Sequence, residues 1–380
     1  MVDAVDQVCA DTAPRQRSSF SASGRRAVYR IGLFIVCYYL FLAYPLMRMA
    51  SASFPDWRPG TPELLVLFVL PALGRLFYHF FPGQASRAVL QVTMTWVGVS
   101  CMGFCVVVVG EVIGLLVPIP SVYWGAGLLA ITGTLCAYAF WNAHRLHVKE
   151  VTVQVANVKC QAKDLAQRVC QISDVHVGSR GVGHLRRVVE RVNACAPDVV
   201  MITGDLIDVR NVSIDELRVL SEIEAPTFYC TGNHERYVDL EAIDARLREL
   251  GIFVLRNEAK TFGDLQIIGI DDADARDQVG RVLPSIEVDS SRYVVLLYHR
   301  PDGLEDAAAA GVDLMLCGHT HNGQVIPFNW LVKRVFPRIQ GVYRTGATTL
   351  HVSPGTGTWG PILRLGSRNE ISMFRFESSS

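Results

Sequence analysis

The chain has 380 residues, half of them hydrophobic, with 36 basic and 36 acidic side chains and a formal net charge of zero. That length exceeds one average domain and points to two units, and the charge balance excludes a strong pull toward nucleic acid. Residues 1–150 carry 11 Lys and Arg against 7 Asp and Glu, and residues 151–380 carry 25 against 29, so the front suits anionic lipid headgroups and the back suits bound cations.

In chain order, residues 1–27 are polar and are expected to form a disordered cytoplasmic tail. Four apolar runs follow within residues 28–142: Val28–Met47, Leu64–Phe81, Val89–Val109 (apolar on to Val117) and Val122–Trp141. A bilayer core of about 30 Å needs about 20 helical residues. Each run approaches or meets that length, so a four-helix transmembrane region is expected. Three further runs after the first argue against a cleaved signal peptide. Arg15, Arg17, Arg25, Arg26, Arg30, Arg87, Arg145 and Lys149 would all face one side, and only Arg48 and Arg58 the other. By the positive-inside rule both ends of the chain, and the second unit with them, are expected in the cytoplasm. Arg75 would snorkel or meet a headgroup, and Glu111 would lie at the interface. Ten cysteines without CxxC spacing suit a reducing compartment.

The pattern changes near residue 145. From 151 to 377, short β-branched runs alternate with amphipathic helices, which predicts a layered α/β domain. The strand candidates are Val169–Ile172, Val199–Thr203, Thr227–Cys230, Leu265–Ile270, Tyr293–Tyr298 and Leu314–Cys317, with Val151, Val153 and Val155 opening an earlier one. The helix candidates are Val182–Cys195, with Leu185, Val188, Val189 and Val192 on one face, and Asp239–Leu250.

Residues at the carboxyl ends of such strands converge at one sheet edge. That edge collects Asp174 and His176, Asp205, then Asn233, His234 and Glu235, then His299, and finally His319 and His321. Taken singly, an Asp-x-His is usually a surface pair and a Gly-Asp a turn. Five such deliveries in order, each at a strand end, outweigh those readings. Imidazole, carboxylate and amide oxygen suit borderline divalent ions such as Mn, Fe or Zn, and the lack of cysteine speaks against a closed structural zinc site. Seven donors are too many for one tetrahedral ion and fit two ions sharing a carboxylate. Gly204, Gly232 and Gly318 precede Asp205, Asn233 and His319, where a missing Cβ allows a sharp turn at a crowded site. His79, His144, His147, His184 and His351 are read as surface, interfacial or packing residues. Arg300 is left between a phosphate contact and a structural salt bridge.

The motifs Asp174-x-His176, Gly204-Asp205, Gly232-Asn233-His234-Glu235, His299 and Gly318-His319-x-His321 resemble those of the calcineurin-like metallophosphoesterases over about residues 151–376. With the apolar leader, Asn322-Gly323-Gln324 and the run Ser353–Gly360, the chain looks like that superfamily's bacterial membrane-attached, YkuE-type branch. Asn322 stands where many relatives have glycine, and asparagine tolerates the left-handed backbone such a turn needs. The resemblance implies a two-sheet α/β/β/α sandwich with two divalent metal ions (Mn, Fe, Zn or Mg). It implies that Asp174, His176 and His321 bind one ion, Asn233, His299 and His319 the other, and that Asp205 bridges both. It also implies catalysis by His234. Two ions about 3.5–4 Å apart would clamp a phosphate and activate a hydroxide. The expected activity is therefore hydrolysis of phosphodiester or pyrophosphate bonds. Membrane tethering favours lipid-linked or nucleotide-lipid substrates. A phosphodiesterase on soluble nucleotides, or a membrane sensor or transporter regulated by a phosphoesterase domain, are the alternatives.

Overall fold

Runs that are apolar on both faces become strands buried on both faces, and the six candidates above do so over the expected residues in the computed structural model, which describes residue 33 and residues 36–56, 60–155 and 168–378. The expected tail, 1–27, lies outside the described residues. The strands are β1 (Leu146–Val155), β2 (Val169–Ile172), β3 (Val199–Thr203), β4 (Thr227–Cys230), β5 (Phe253–Leu255), β6 (Glu258–Phe262), β7 (Leu265–Ile270), β8 (Tyr293–Tyr298), β9 (Leu314–Cys317), β10 (Gly341–Thr345), β11 (Thr348–Val352) and β12 (Asn369–Ser378). They form two mixed six-stranded sheets, ordered β1-β12-β2-β3-β4-β5 and β10-β11-β9-β8-β7-β6. The run β2–β5 is parallel in the first sheet, as is β7–β8–β9–β11 in the second.

The sheets face each other across a core that includes Val169, Met201, Phe228, Val295 and Leu316. Helices cover the outer faces. On the first sheet, α5 (Val182–Ala194) buries Leu185, Val188, Val189 and Val192, the stripe its spacing predicts, and α8 (Leu240–Glu249) buries Ile243 and Leu247. Short α6 (Ile214–Leu217) and α7 (Asn233–Tyr237) flank them. On the second sheet, α9 (Gln278–Val282) and α10 (Leu304–Ala309) bury Val279, Leu304 and Ala307 against Ile268 and Leu296. A further helix, α11 (Phe328–Val335), follows the last candidate ligand, His321. The expected α/β/β/α layering is present.

The first unit differs from expectation. Its helices are α1 (Tyr44–Ser53), α2 (Thr61–Phe80), α3 (Gln84–Gly114) and α4 (Ser121–Asn142). Among the described residues two helices, α3 and α4, are long and apolar enough to cross a membrane, in place of the four expected. The first expected span, Val28–Met47, falls partly outside the described residues and continues into α1, which runs on to Ser53. The second, α2, carries Glu63, Arg75 and His79 and an internal Pro71, and near its end Tyr78 packs on the second unit, where it is buried and its hydroxyl accepts the Arg210 N–H at 2.8 Å, while Phe77, Phe80 and Phe81 stay exposed. Glu111 is paired with Arg48 at 2.6 Å, and the Arg48 guanidinium lies 4.7 Å from the Trp124 ring centre.

The helices are joined to the second unit by specific contacts. Arg87 donates to the Glu216 carboxylate and the Asn211 carbonyl, both at 2.6 Å. Asn142 donates to the carbonyls of Arg364 (3.0 Å) and Ser367 (2.9 Å), and the Arg364 N–H donates to Ala139 O at 2.9 Å. Met102 and Ala139 share a buried apolar cluster with Val325 and Leu363.

Candidate metal centre

The five strand ends converge as the parallel topology requires. Loops after β2, β3, β4, β8 and β9 bring Asp174, His176, Asp205, Asn233, His299, His319 and His321 to one edge, all of them buried or nearly so. Two donor groups form. In one, His321 Nε2 lies 3.4 Å from Asp174 Oδ1 and 3.0 Å from His176 Nε2. In the other, His299 Nε2 lies 3.1 Å from Asp205 Oδ2 and 3.2 Å from His319 Nδ1. Asp205 Oδ2 also lies 4.0 Å from His176 Nε2, so it stands between the groups. His234 Nε2 is 3.9 Å from the same oxygen, and a His176–Asp205–His234 set is close enough to hold an ion as well.

The backbone is bent to achieve this. Asp174, His176, Asp205, His319 and His321 all have positive φ, between 50° and 73°. Non-glycine residues in that region carry strain, which concentrates at functional sites. Asn322 adopts φ 50°, the left-handed turn expected of it. A Cβ on Gly232 would lie 2.3 Å from Asp205 Oδ1, and one on Gly318 would lie 2.0 Å from Ser173 Oγ, so both glycines are required by close approach.

The donor chemistry fits divalent ions. His299 Nδ1 sits 2.8 Å from the Thr203 carbonyl, which can only accept, so Nδ1 carries the proton and Nε2 turns its lone pair inward. Burial and the neighbouring His299 and His176 push His319 and His321, respectively, well below the usual histidine range, leaving neutral imidazoles, the form that ligates metal. Burial disfavours a cationic His299, but the Asp205 charge outweighs it and lifts that group to about 10, so without an ion Nε2 also holds a proton toward Asp205, which a bound cation would displace to reach the lone pair. Burial would likewise raise Asp205, yet the adjacent His299 holds it well below the usual carboxylate range. Among the described residues Asn233 Oδ1 is buried without a hydrogen-bond donor, as an oxygen aimed at a cation would be.

Several supporting residues have roles that the sequence does not reveal. Glu235 accepts the N–H groups of Asp205 (3.2 Å), Ile207 (2.9 Å) and Gly232 (3.0 Å), so it fixes the turns on either side of Asp205 and does not orient His234 through a direct bond. Asp208 lies 3.4 Å from His176 Nδ1 and is held by Ser179. Arg364 is fully buried and donates to the carbonyls of His321 (2.9 Å) and Gly357 (2.6 Å). Arg300 pairs with Asp272 at 2.8 Å and Asp274 at 2.5 Å, which answers the open choice in favour of a salt bridge. His184 and His351 are buried packing residues, bonded to Thr356 O and Gln171 Oε1. Every cysteine among the described residues is a free thiol.

Residues 167–323 match the calcineurin-like phosphoesterase family. An uncharacterized metallophosphoesterase of Campylobacter jejuni is 34% identical over 235 residues, 59% of this chain and 61% of that protein. A transmembrane protein with metallophosphoesterase domain of Danio rerio is 33% identical over 270 residues, 64% and 60% of the two chains. An uncharacterized metallophosphoesterase of Aquifex aeolicus is 32% identical over 252 residues, 62% of this chain and 94% of that protein. The chain thus spans about three fifths of the length of the first two relatives.

Proposed function

Because the chain belongs to the calcineurin-like metallophosphoesterases, we propose that it is a membrane-anchored, metal-dependent hydrolase of phosphodiester or pyrophosphate bonds. In this reading Asp174, His176 and His321 hold one divalent ion, Asn233, His299 and His319 hold a second, and Asp205 serves both. The observation that carries it is the position of Asp205 Oδ2, 3.1 Å from His299 Nε2 and 4.0 Å from His176 Nε2, between two donor groups. Bound there, two such ions supply positive charge for a phosphate and a water of low pKa.

The chain's own residues do the rest. His234 lies at the start of α7 and its backbone N–H donates to Asp205 Oδ1 at 2.9 Å, which fixes the residue over the site. Its ring lies among His176, Tyr237 and Trp359, with centroids 4.9, 5.9 and 5.9 Å away. Burial holds this imidazole below the usual histidine range, and in this reading it turns its N–H toward the leaving oxygen. The chain's unit boundaries in this reading are 28–142 for the membrane region and 151–377 for the hydrolase. Helices α3 and α4 anchor the protein as a multi-pass membrane protein with its hydrolase in the cytoplasm. The substrates are lipid-linked or nucleotide-lipid phosphates, as suits the membrane-attached, YkuE-type branch.

Asp205→Ala is expected to abolish Mn-dependent hydrolysis of bis(p-nitrophenyl) phosphate and to lower metal content; retained turnover would refute the assignment. His234→Ala is expected to keep the metal content of the wild type and lose about 10²–10⁴-fold in turnover. Loss of metal in that variant would make His234 a ligand instead, as its nearness to Asp205 and His176 allows.

A further inference from the structure

Helix α11 has an apolar stripe that the protein covers only in part. Phe328, Leu331, Val332 and Val335 fall on one face at helical spacing. Phe328 packs with Val325, Leu363 and Met102, in the cluster that joins the second unit to α3 and α4. Leu331 and Val335, on the same stripe, are 60% and 49% exposed. The other face holds Lys333 and Arg334, both exposed, with Trp330 72% exposed beside them. A short helix with apolar residues on one face and cations on the other suits the surface of an anionic leaflet.

The position of α11 says what covers the stripe. Its covered half sits on Met102 and Ala139, at one end of α4, where Trp141 stacks with Arg145 at 4.6 Å, an aromatic and basic pair typical of a membrane interface. A stripe continuous with helices that cross lipid, at the level where they leave it, meets the same lipid. It also leads to the candidate metal centre. The Phe336 ring, just past α11, lies 4.9 Å from His319, and exposed Trp359 lies 5.9 Å from His234. We propose that α11 rests on the lipid surface and seats the hydrocarbon part of a phosphorylated amphiphile, whose phosphate then reaches the centre beside it. This rests on the anchored-hydrolase reading above and names its substrate class.

Two measurements on the full chain test it. In vesicles of zwitterionic and anionic phospholipid (7:3), the fluorescence of Trp330→Phe/Leu331→Trp less that of Trp330→Phe isolates one indole on the stripe. It is expected to be quenched by 6,7-dibrominated lipid and spared by aqueous iodide; the opposite pattern overturns the lipid contact, whatever the enzyme does. The second compares hexadecyl with ethyl p-nitrophenyl phosphate, which share the bond to be broken. With Mn, Leu331→Glu/Val335→Glu is expected to lower the hexadecyl-to-ethyl ratio of kcat/KM at least tenfold while the ethyl ester is turned over as in the wild type. An unchanged ratio overturns the proposed seat. Failure of the wild type to hydrolyse either ester refutes the phosphodiester reading instead, and the same comparison is then made with hexadecyl and ethyl diphosphate, where failure on both refutes the hydrolase reading and with it the seat.

Discussion

Glu235 shows how a side chain that stands in a motif can act in a way the motif does not reveal. Its carboxylate gathers three backbone N–H groups from two loops, at 2.9–3.2 Å, and so sets the path of the chain on which Asp205 and Asn233 stand. Removing an acceptor from buried donors costs about 1–3 kcal/mol. Glu235→Gln turns one acceptor atom into a donor facing those N–H groups. It is expected to lower stability by that amount in thermal melts of the detergent-solubilised protein, and to lower metal content as well. The donors themselves were readable because each follows a strand and each is a residue type with few reasons to cluster. Glu235 could be seen beside His234 but not its partners 28 and 30 residues away, and Arg364 lies in an unremarkable stretch whose meaning is made only by its contact with His321.

At the scale of elements, burial decides what can be read. β2, β3, β4, β7, β8 and β9 are buried along their whole length, so their sequences are runs apolar but for Gln171, Gln266 and a threonine at one end of β3 and of β4. β6 is exposed at four of its five positions and β10 alternates with partly buried positions, so neither produces such a run. α5 was legible because its four core residues recur at helical spacing. All four are at most 2% exposed against the first sheet. Leu185→Ala is accordingly expected to cost about 2–5 kcal/mol, measured as a fall in the melting temperature with the metal stoichiometry of the surviving folded protein unchanged. α11 went unread because eight residues hold barely two turns of stripe, too few to stand out beside a motif.

For the whole molecule, the apolar runs of the first half led to four expected spans where two helices are long and apolar enough to cross a membrane, because a hydrophobic run does not reveal whether it meets lipid or protein. Near the end of α2, Tyr78 meets protein, at Arg210. The same is true of one face of α3, where a Cβ on Gly98 would come 2.7 Å from both Leu363 and Pro361. Gly98→Leu is expected to push apart the helices and the loop that carries Arg364, lowering melting temperature and turnover together while the isolated ligand residues stay untouched; wild-type values for both would show that the two units work independently.

The place of β12 in the first sheet has a bearing on biosynthesis. It pairs in parallel with β1, which directly follows α4, and antiparallel with β2, so it separates two strands made long before it. It also binds the loop over Asp174: the Glu370 N–H donates to Gly355 O at 2.9 Å, and the Thr356 hydroxyl donates to Glu370 O at 2.9 Å. Until residues 369–378 leave the ribosome, the edges of β1 and β2 that β12 will fill stay open. A nascent chain therefore carries two unpaired strand edges until β12 arrives, and the loop over Asp174 is tied down only then.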